Sequence, residues 1–396
     1  MRLRPPLPAR RRGHPRGAAA LHGRTARAAP VRIPGPDRRL PLRRLRARTR
    51  PHPGGVPMTA PATGQDRAVR QDAPAGPLLS VRDLTMTFPG KRSLTGRRAA
   101  PVRAVDGISF DLEPGRTLGL VGESGCGKST TGRMLVRLLE PTSGRITFDG
   151  RDISRLSQSA LRPLRRDIQM VFQDPHSSLN PRQTVARIIS DPLLVQGWSA
   201  ADARRRAAEL MELTGLIPEH IDRYPHEFSG GQAQRIGIAR SLATSPRLVI
   251  ADEPVSALDV SVQAQIVNLM ERLRAELGLA YVFIAHDLSV VKRVSDRVAV
   301  MYLGRIVEIG DKKSLYENPQ HPYTRALLSA VPLPDPAAER RRERIVLLGD
   351  PPSPAAPPPG CTFHPRCPKA QEVCRTERPL LQLAASREVA CHFPGD

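Results

Sequence analysis

From Leu79 to about Leu315, short apolar runs alternate with stretches whose apolar residues recur at helical spacing. That alternation predicts strands of a parallel sheet joined by helices. Thr117–Val121, Ile168–Phe172, Leu248–Ala251 and Tyr281–Ala285 are nearly free of charge, as strands buried on both faces must be. Each is followed at once by polar or glycine residues: Gly122, Gln173, Asp252–Glu253 and His286. Open α/β sheets bind ligands beyond the carboxyl ends of their strands, so these four endings predict one shared site.

Between the strands the period changes to that of helices. Ser199 and Asp202 form a capping pair ahead of Ala203–Leu213, with Gly215 as the stop. Asp259 is placed to cap a helix whose apolar face is Val262, Ile266, Leu269, Leu273 and Leu277, ended by Gly278. Another helix carries Met134, Leu135, Leu138 and Leu139 and stops at Pro141. Residues 174–245 read mainly as helices set between two core strands, which predicts an inserted helical subdomain.

Composition adds the ends. Aromatic residues are 4% of the 396, so the core must be aliphatic. Residues 1–57 hold 16 Arg, no Lys and one acid, Asp37, and so carry +15 of the net +23. The charge thus belongs to an arm and not to a folded basic face. With no apolar period, the arm reads as disordered. Either translation starts near Met58 and the arm is not made, or it is a basic tail for anionic lipid or RNA. No stretch reaches the ~18–20 apolar residues of a membrane helix, so a partner must hold the chain at any membrane it serves. The arginines are not followed by an apolar run, which excludes a secretory signal. Residues 58–78 read as a linker, 79–315 as the main domain and 316–396 as an extension containing the stiff run PPSPAAPPP at 351–359.

The chemistry starts at Gly122-Glu123-Ser124-Gly125-Cys126-Gly127-Lys128-Ser129, with Thr130 behind it, which fits G-x-x-x-x-G-K-[ST]. It follows a predicted strand and precedes a predicted helix, the context this phosphate loop needs. Its glycines let backbone N–H groups surround phosphates, and the helix N-terminus favours anions. Lys128 is then placed for the β- and γ-phosphates of ATP, and the Ser129 hydroxyl for Mg²⁺. Asp252, at a strand end, suits the Mg²⁺ shell, and Glu253 can polarise an attacking water. His286, at another strand end, can sense the γ-phosphate through a hydrogen bond.

Ser229-Gly230-Gly231-Gln232, preceded by Phe228, resembles the LSGGQ signature of ABC ATPases. The other landmarks appear in order: Gln173 in VFQDP resembles the Q-loop, which implies that it links Mg²⁺ and the attacking water to the membrane subunit, Ser256–Asp259 resembles the D-loop, and His286 the switch histidine. Phe88 is the best match for the aromatic that stacks on adenine, and it reads equally as a core strand residue. Ser178–Pro181 and Asn318–Thr324 resemble the ATPases of oligopeptide and dipeptide importers. The resemblance implies a P-loop NTPase core with an antiparallel β subdomain and an inserted helical subdomain. It also implies a dimer in which each signature meets the partner's ATP. The partners implied are a second ABC ATPase, more often a paralogue than a copy, two permease subunits and an extracytoplasmic solute-binding protein. The place implied is the cytoplasmic face of the cell membrane, and the work is ATP hydrolysis driving peptide import. Nickel importers share these motifs. A soluble ABC ATPase acting on nucleic acid is disfavoured by a single ATPase unit with no long heptad run, so no specific nucleic acid is expected.

Cys361, Cys367, Cys374 and Cys391 cluster near the end, within a stretch (GCTFHPRCP) that also resembles this importer group. Four thiolates can hold an iron–sulfur cluster or a zinc ion, or simply pack a reduced tail. Some members of the group carry a [4Fe–4S] cluster at similar spacing, which places iron–sulfur ahead of zinc.

Overall fold

In the computed structural model the strands among the described residues are β1 Leu79–Phe88, β2 Val102–Leu112, β3 Thr117–Val121, β4 Ser143–Phe148, β5 Arg151–Asp152, β6 Ile168–Val171, β7 Leu248–Asp252, β8 Ala280–Ile284, β9 Arg297–Tyr302, β10 Arg305–Asp311, β11 Gln382–Ala384 and β12 Arg387–Val389. The structure describes residues 76–90, 100–332, 335–341, 344–384 and 386–395, all within the unit Arg70–Asp396. The basic arm, its start at Met58 and most of the 58–78 linker lie outside the described residues.

One sheet runs β11-β12-β10-β9-β3-β8-β7-β6. Its centre is parallel: β3 pairs with β8 and β9, and β7 with β8 and β6. The four charge-free runs of the sequence are β3, β6, β7 and β8, side by side in one half of this sheet. Successive side chains show why these runs lack charge. On β7, Val249 and Ala251 enter one apolar layer while Leu248 and Ile250 enter the opposite one. On β8, Tyr281 and Phe283 face the first layer and Val282 and Ile284 the second. Both faces of the pleat are sealed from water, as a sheet covered on both sides requires.

A second, antiparallel sheet, β2-β1-β4-β5, covers one layer. Two of its strands, β4 and β5, come after the phosphate loop, so it is assembled from both sides of that loop. The other layer takes the helices Val185–Val195, Ala200–Leu213 and Gly230–Leu242, which occupy the chain between β6 and β7 without an intervening strand. Ser199 opens the second of them: its hydroxyl accepts from Asp202 N–H and donates to the Asp202 carboxylate.

Two helix expectations are corrected. The helix after the phosphate loop spans Lys128–Leu135, and Leu138 lies exposed beyond it. Arg137 ends that helix by adopting φ +56° and turning its guanidinium inward to the carbonyls of Ile153, Leu139 and Leu156. Asp259 stands at the N-cap of Val260–Leu277, but its side chain makes no capping hydrogen bond, and Leu277 is exposed at the far end.

The extension is joined to the main sheet. Strand β12 pairs with β10 through Glu308↔Val389 and Ile309↔Glu388, and β11 adds outside it. Among the described residues, no helix is long and apolar enough to cross a membrane.

Candidate active site

At Val121 the chain leaves β3 and turns back on itself. A Cβ at Gly122 would lie 2.1 Å from the Met301 carbonyl oxygen, and one at Gly127 would lie 2.2 Å from that of Ala104. Only glycine lets the loop pass so close under β9 and β2. Gly127, at φ +105°, is also the N-cap of Lys128–Leu135. No side chain caps that helix, so N–H groups of its first turn remain for an anion. The Lys128 side chain is buried, and its ammonium donates to the carbonyls of Gly122 (2.8 Å) and Glu123 (3.0 Å).

Asp252 ends β7 at 2% exposure, where it accepts a 2.8 Å hydrogen bond from Ser129 Oγ. Burial raises its carboxyl above the usual range, and the Ser129 hydroxyl acts against that rise. A hydroxyl and a carboxylate this close form a hard oxygen pair, the donor chemistry that suits Mg²⁺. Glu253 follows at φ +45°, a conformation rare outside glycine and concentrated at functional sites. Its N–H donates to Ile284 O (2.9 Å), its Oε2 accepts from Gln173 Nε2 (3.0 Å), and His286 Nδ1 stands 3.5 Å from the same oxygen. The ends of β6, β7 and β8 thus converge on one carboxylate.

An open cleft of about 490 Å³ is lined by Ala104, Ser124, Gly125, Gly127, Lys128, Ser129 and Thr130 together with Gln173, Glu253 and His286. Gly122, Glu123, Cys126 and Asp252 stand outside its lining. Cys126 is buried, which pushes its thiol up. Phe88 is half-buried at the end of β1 opposite Val102 and is not part of the lining.

Ser229, Gly230, Gly231 and Gln232 do not line this cleft either. Ser229 is the exposed N-cap of Gly230–Leu242; Gln232 N–H donates to its hydroxyl, and Ser229 N–H donates to the Gln232 amide oxygen. A Cβ at Gly231 would lie 2.5 Å from Val262, so this turn is fitted against the helix that Asp259 opens.

Two contacts were not legible in the sequence. Glu123 N–H donates to Tyr323 Oη at 2.9 Å, and the Glu123 carboxylate accepts from Arg366 Nη1 at 2.9 and 3.1 Å. The only signal was that both partners fall within the two importer-like segments of the extension. Cys361, Cys367, Cys374 and Cys391 are all free and line one small cavity there. Among the described residues, no group of three or more His, Cys, Asp or Glu is arranged to hold a single metal ion.

Residues 105–256 match the family described as ABC transporter, and residues 307–374 match the oligopeptide/dipeptide transporter C-terminal region. The chain is 55% identical over 319 residues to the oligopeptide transport ATP-binding protein AppF of Bacillus subtilis, covering 80% of this chain and 97% of that one. It belongs to the oligopeptide/dipeptide family of ABC-transporter ATP-binding proteins. OppF of Salmonella typhimurium, an oligopeptide transport ATP-binding protein, is 51% identical over 318 residues, with 79% of this chain and 95% of that one covered. Among solved structures, the post-hydrolysis dimer of the ATP-binding cassette MJ0796 with ADP and Pi matches with a TM-score of 0.53 at 28% identity, covering 59% of this chain and 98% of that one. Membership makes this chain an ATPase subunit that uses ATP and Mg²⁺ and works with membrane permeases.

Proposed function

We propose that this chain hydrolyses ATP at the Lys128 cleft to drive peptides inward across the cytoplasmic membrane, on whose inner face it sits peripherally. The observation that carries the chemistry is that Glu253 and Lys128 line one cleft, with the Glu253 carboxylate held by Gln173. Lys128 leaves the loop carbonyls to meet the β- and γ-phosphates, while loop N–H groups bind the phosphate oxygens. Ser129 and Asp252 would hold Mg²⁺, which would draw charge from the phosphate oxygens. Glu253 orients a water in line with the terminal phosphate and accepts its proton as the new P–O bond forms and the bond to ADP breaks. His286 hydrogen-bonds the γ-phosphate and Gln173 reports its loss to the permeases. These roles are supported by the cleft that Lys128, Ser129, Gln173, Glu253 and His286 share and by the hydrogen bond that ties Asp252 to Ser129.

The exposed Ser229 turn, which does not line this chain's own cleft, supports a dimer in which it closes over the partner's ATP, with Asp259 crossing the interface. A paralogue is the favoured partner, with two permeases and an extracytoplasmic binding protein completing the importer. The domain then spans 79–315, with its helical part at 174–245. The cargo reading rests on the relatives' names, AppF and OppF being oligopeptide transport proteins. A Glu253→Gln variant should bind ATP, stay dimeric and turn over at least ~100-fold more slowly. Wild-type turnover by that variant would remove Glu253 from its role.

For the cysteine cavity we propose a [4Fe–4S] cluster. Four free thiols line it together, and four cysteine thiolates are the ligand set such a cluster uses. Burial raises the thiols of Cys361, Cys367 and Cys391, the last to about 11, so a bound metal would have to draw them into thiolates. About four iron and matching sulfide per chain after anaerobic purification support the cluster; an iron-free, fully folded chain contradicts it.

A further inference from the structure

We propose that Arg366 and Tyr323 are positioning residues for the phosphate loop, acting through Glu123, so that the cysteine-bearing turn sets the affinity of the ATP site. The proposal rests on the reading of residues 122–129 as that site.

All the polar groups of Glu123 are held. Tyr323 takes its N–H, Arg366 its carboxylate and Lys128 its carbonyl. The first two partners come from 200 and 243 residues downstream, outside the ATPase core. The ion pair is mostly shielded, with the Arg366 side chain 8% and that of Glu123 26% exposed. Shielding strengthens such a pair and makes the loss of one partner costly to the other.

The clamp has a firm base. Phe363, three residues before Arg366, is buried against the rings of Tyr302 (centroids 5.2 Å apart) and Tyr323 (5.5 Å), which also meet each other at 4.7 Å. Tyr302 ends β9, the strand beside β3, from which the phosphate loop departs. Arg366 sits between Cys361 and Cys367, and Cys361 N–H donates to Cys374 O at 2.8 Å. The turn that presents Arg366 is thus tied to the cysteine cavity.

Charge explains the need. Glu123 puts a carboxylate inside a loop built for anions, where a free one would repel ATP. Paired with Arg366, that carboxylate stays out of the cleft lining. Removing Arg366 frees the negative charge beside the phosphates; removing both partners takes the charge away.

The test is titration of the purified full-length chain with a fluorescent ATP analogue and Mg²⁺. Arg366→Gln should weaken binding about tenfold, less at high salt because the repulsion is screened. Adding Glu123→Gln should restore affinity to within about threefold of wild type, a rescue that a purely structural role for Arg366 would not give. Wild-type affinity in Arg366→Gln, or no rescue in the double variant, overturns the proposal. Should Arg366→Gln fold poorly by thermal melting, Tyr323→Phe carries the same test. It should bind about threefold more weakly, and unchanged binding overturns the clamp. Failure of the wild-type chain to bind the analogue would instead refute the ATP site itself.

Discussion

Gln173 Nε2 donates to Glu253 Oε2 at 3.0 Å, linking the second residue past β6 to the first residue past β7. Both side chains line the cleft, and Gln173 is exposed on its outer side. A carboxylate fixed this way presents its other oxygen to a water. Gln173→Ala should leave ATP affinity within about twofold and lower kcat roughly tenfold, because orientation is lost while binding is kept. Steady-state kinetics of the assembled transporter checks this; a raised KM with full kcat would count against it.

Asp252 is buried, with its carboxyl raised, so its ionised form is disfavoured in the nucleotide-free chain. The sign follows: the folded state holds the proton to higher pH than the unfolded one, so this group's contribution to stability falls as pH rises above ~3.9. Asp252→Asn keeps an acceptor for Ser129 and removes the charge. Its nucleotide-free melting temperature at neutral pH should equal or exceed wild type, while Mg²⁺-dependent hydrolysis falls at least ~100-fold. Thermal melts and assays across a Mg²⁺ series measure both.

His321 is fully buried and its Nδ1 accepts from Tyr323 N–H, so the ring is neutral with its proton on Nε2. Burial lowers its pKa to about 3. Unfolding therefore takes up a proton between about 6.5 and 3, and stability is lost as pH falls through that window, by at most ~1.4 kcal/mol per unit. His321→Asn keeps a cap acceptor and should flatten this part of the pH profile in urea unfolding. An unchanged slope would assign the acid sensitivity to other groups.

Glu308 is 0% and Arg387 3% exposed in a 3.5 Å ion pair joining β10 to β12. Glu308 also accepts from the N–H groups of Gln320 and His321, and Arg387 donates to the carbonyls of Ser314 and Asn318. Glu308→Ala would strand a buried cation and two donors, so a loss of about 3–5 kcal/mol is expected by chemical denaturation. A loss under about 1 kcal/mol would show that the extension's pairing to β10 stands without this contact.

The parallel half of the sheet was legible because double burial leaves a strand no room for charge, as in Leu248–Ala251. The cleft was legible for a related reason: Gly122, Gln173, Glu253 and His286 each follow such a strand. What escaped depends on distance or local compensation. Helix period carries the phosphate-loop helix through Leu139, but Arg137 ends it by binding carbonyls of a later segment. Asp259 is a good cap by residue type, yet its side chain makes no capping bond. The attachment of the extension through Arg366 and Glu123 joins residues 243 apart, and no local pattern encodes that.

The central claim is that this cleft powers peptide import. The most direct measurement is ATP hydrolysis by the transporter reconstituted in lipid, with peptide-loaded binding protein on the outer side. Hydrolysis should rise with loaded binding protein, accompany peptide uptake and vanish with Glu253→Gln. Uptake that continues in the Glu253→Gln transporter, or hydrolysis indifferent to peptide, would contradict it.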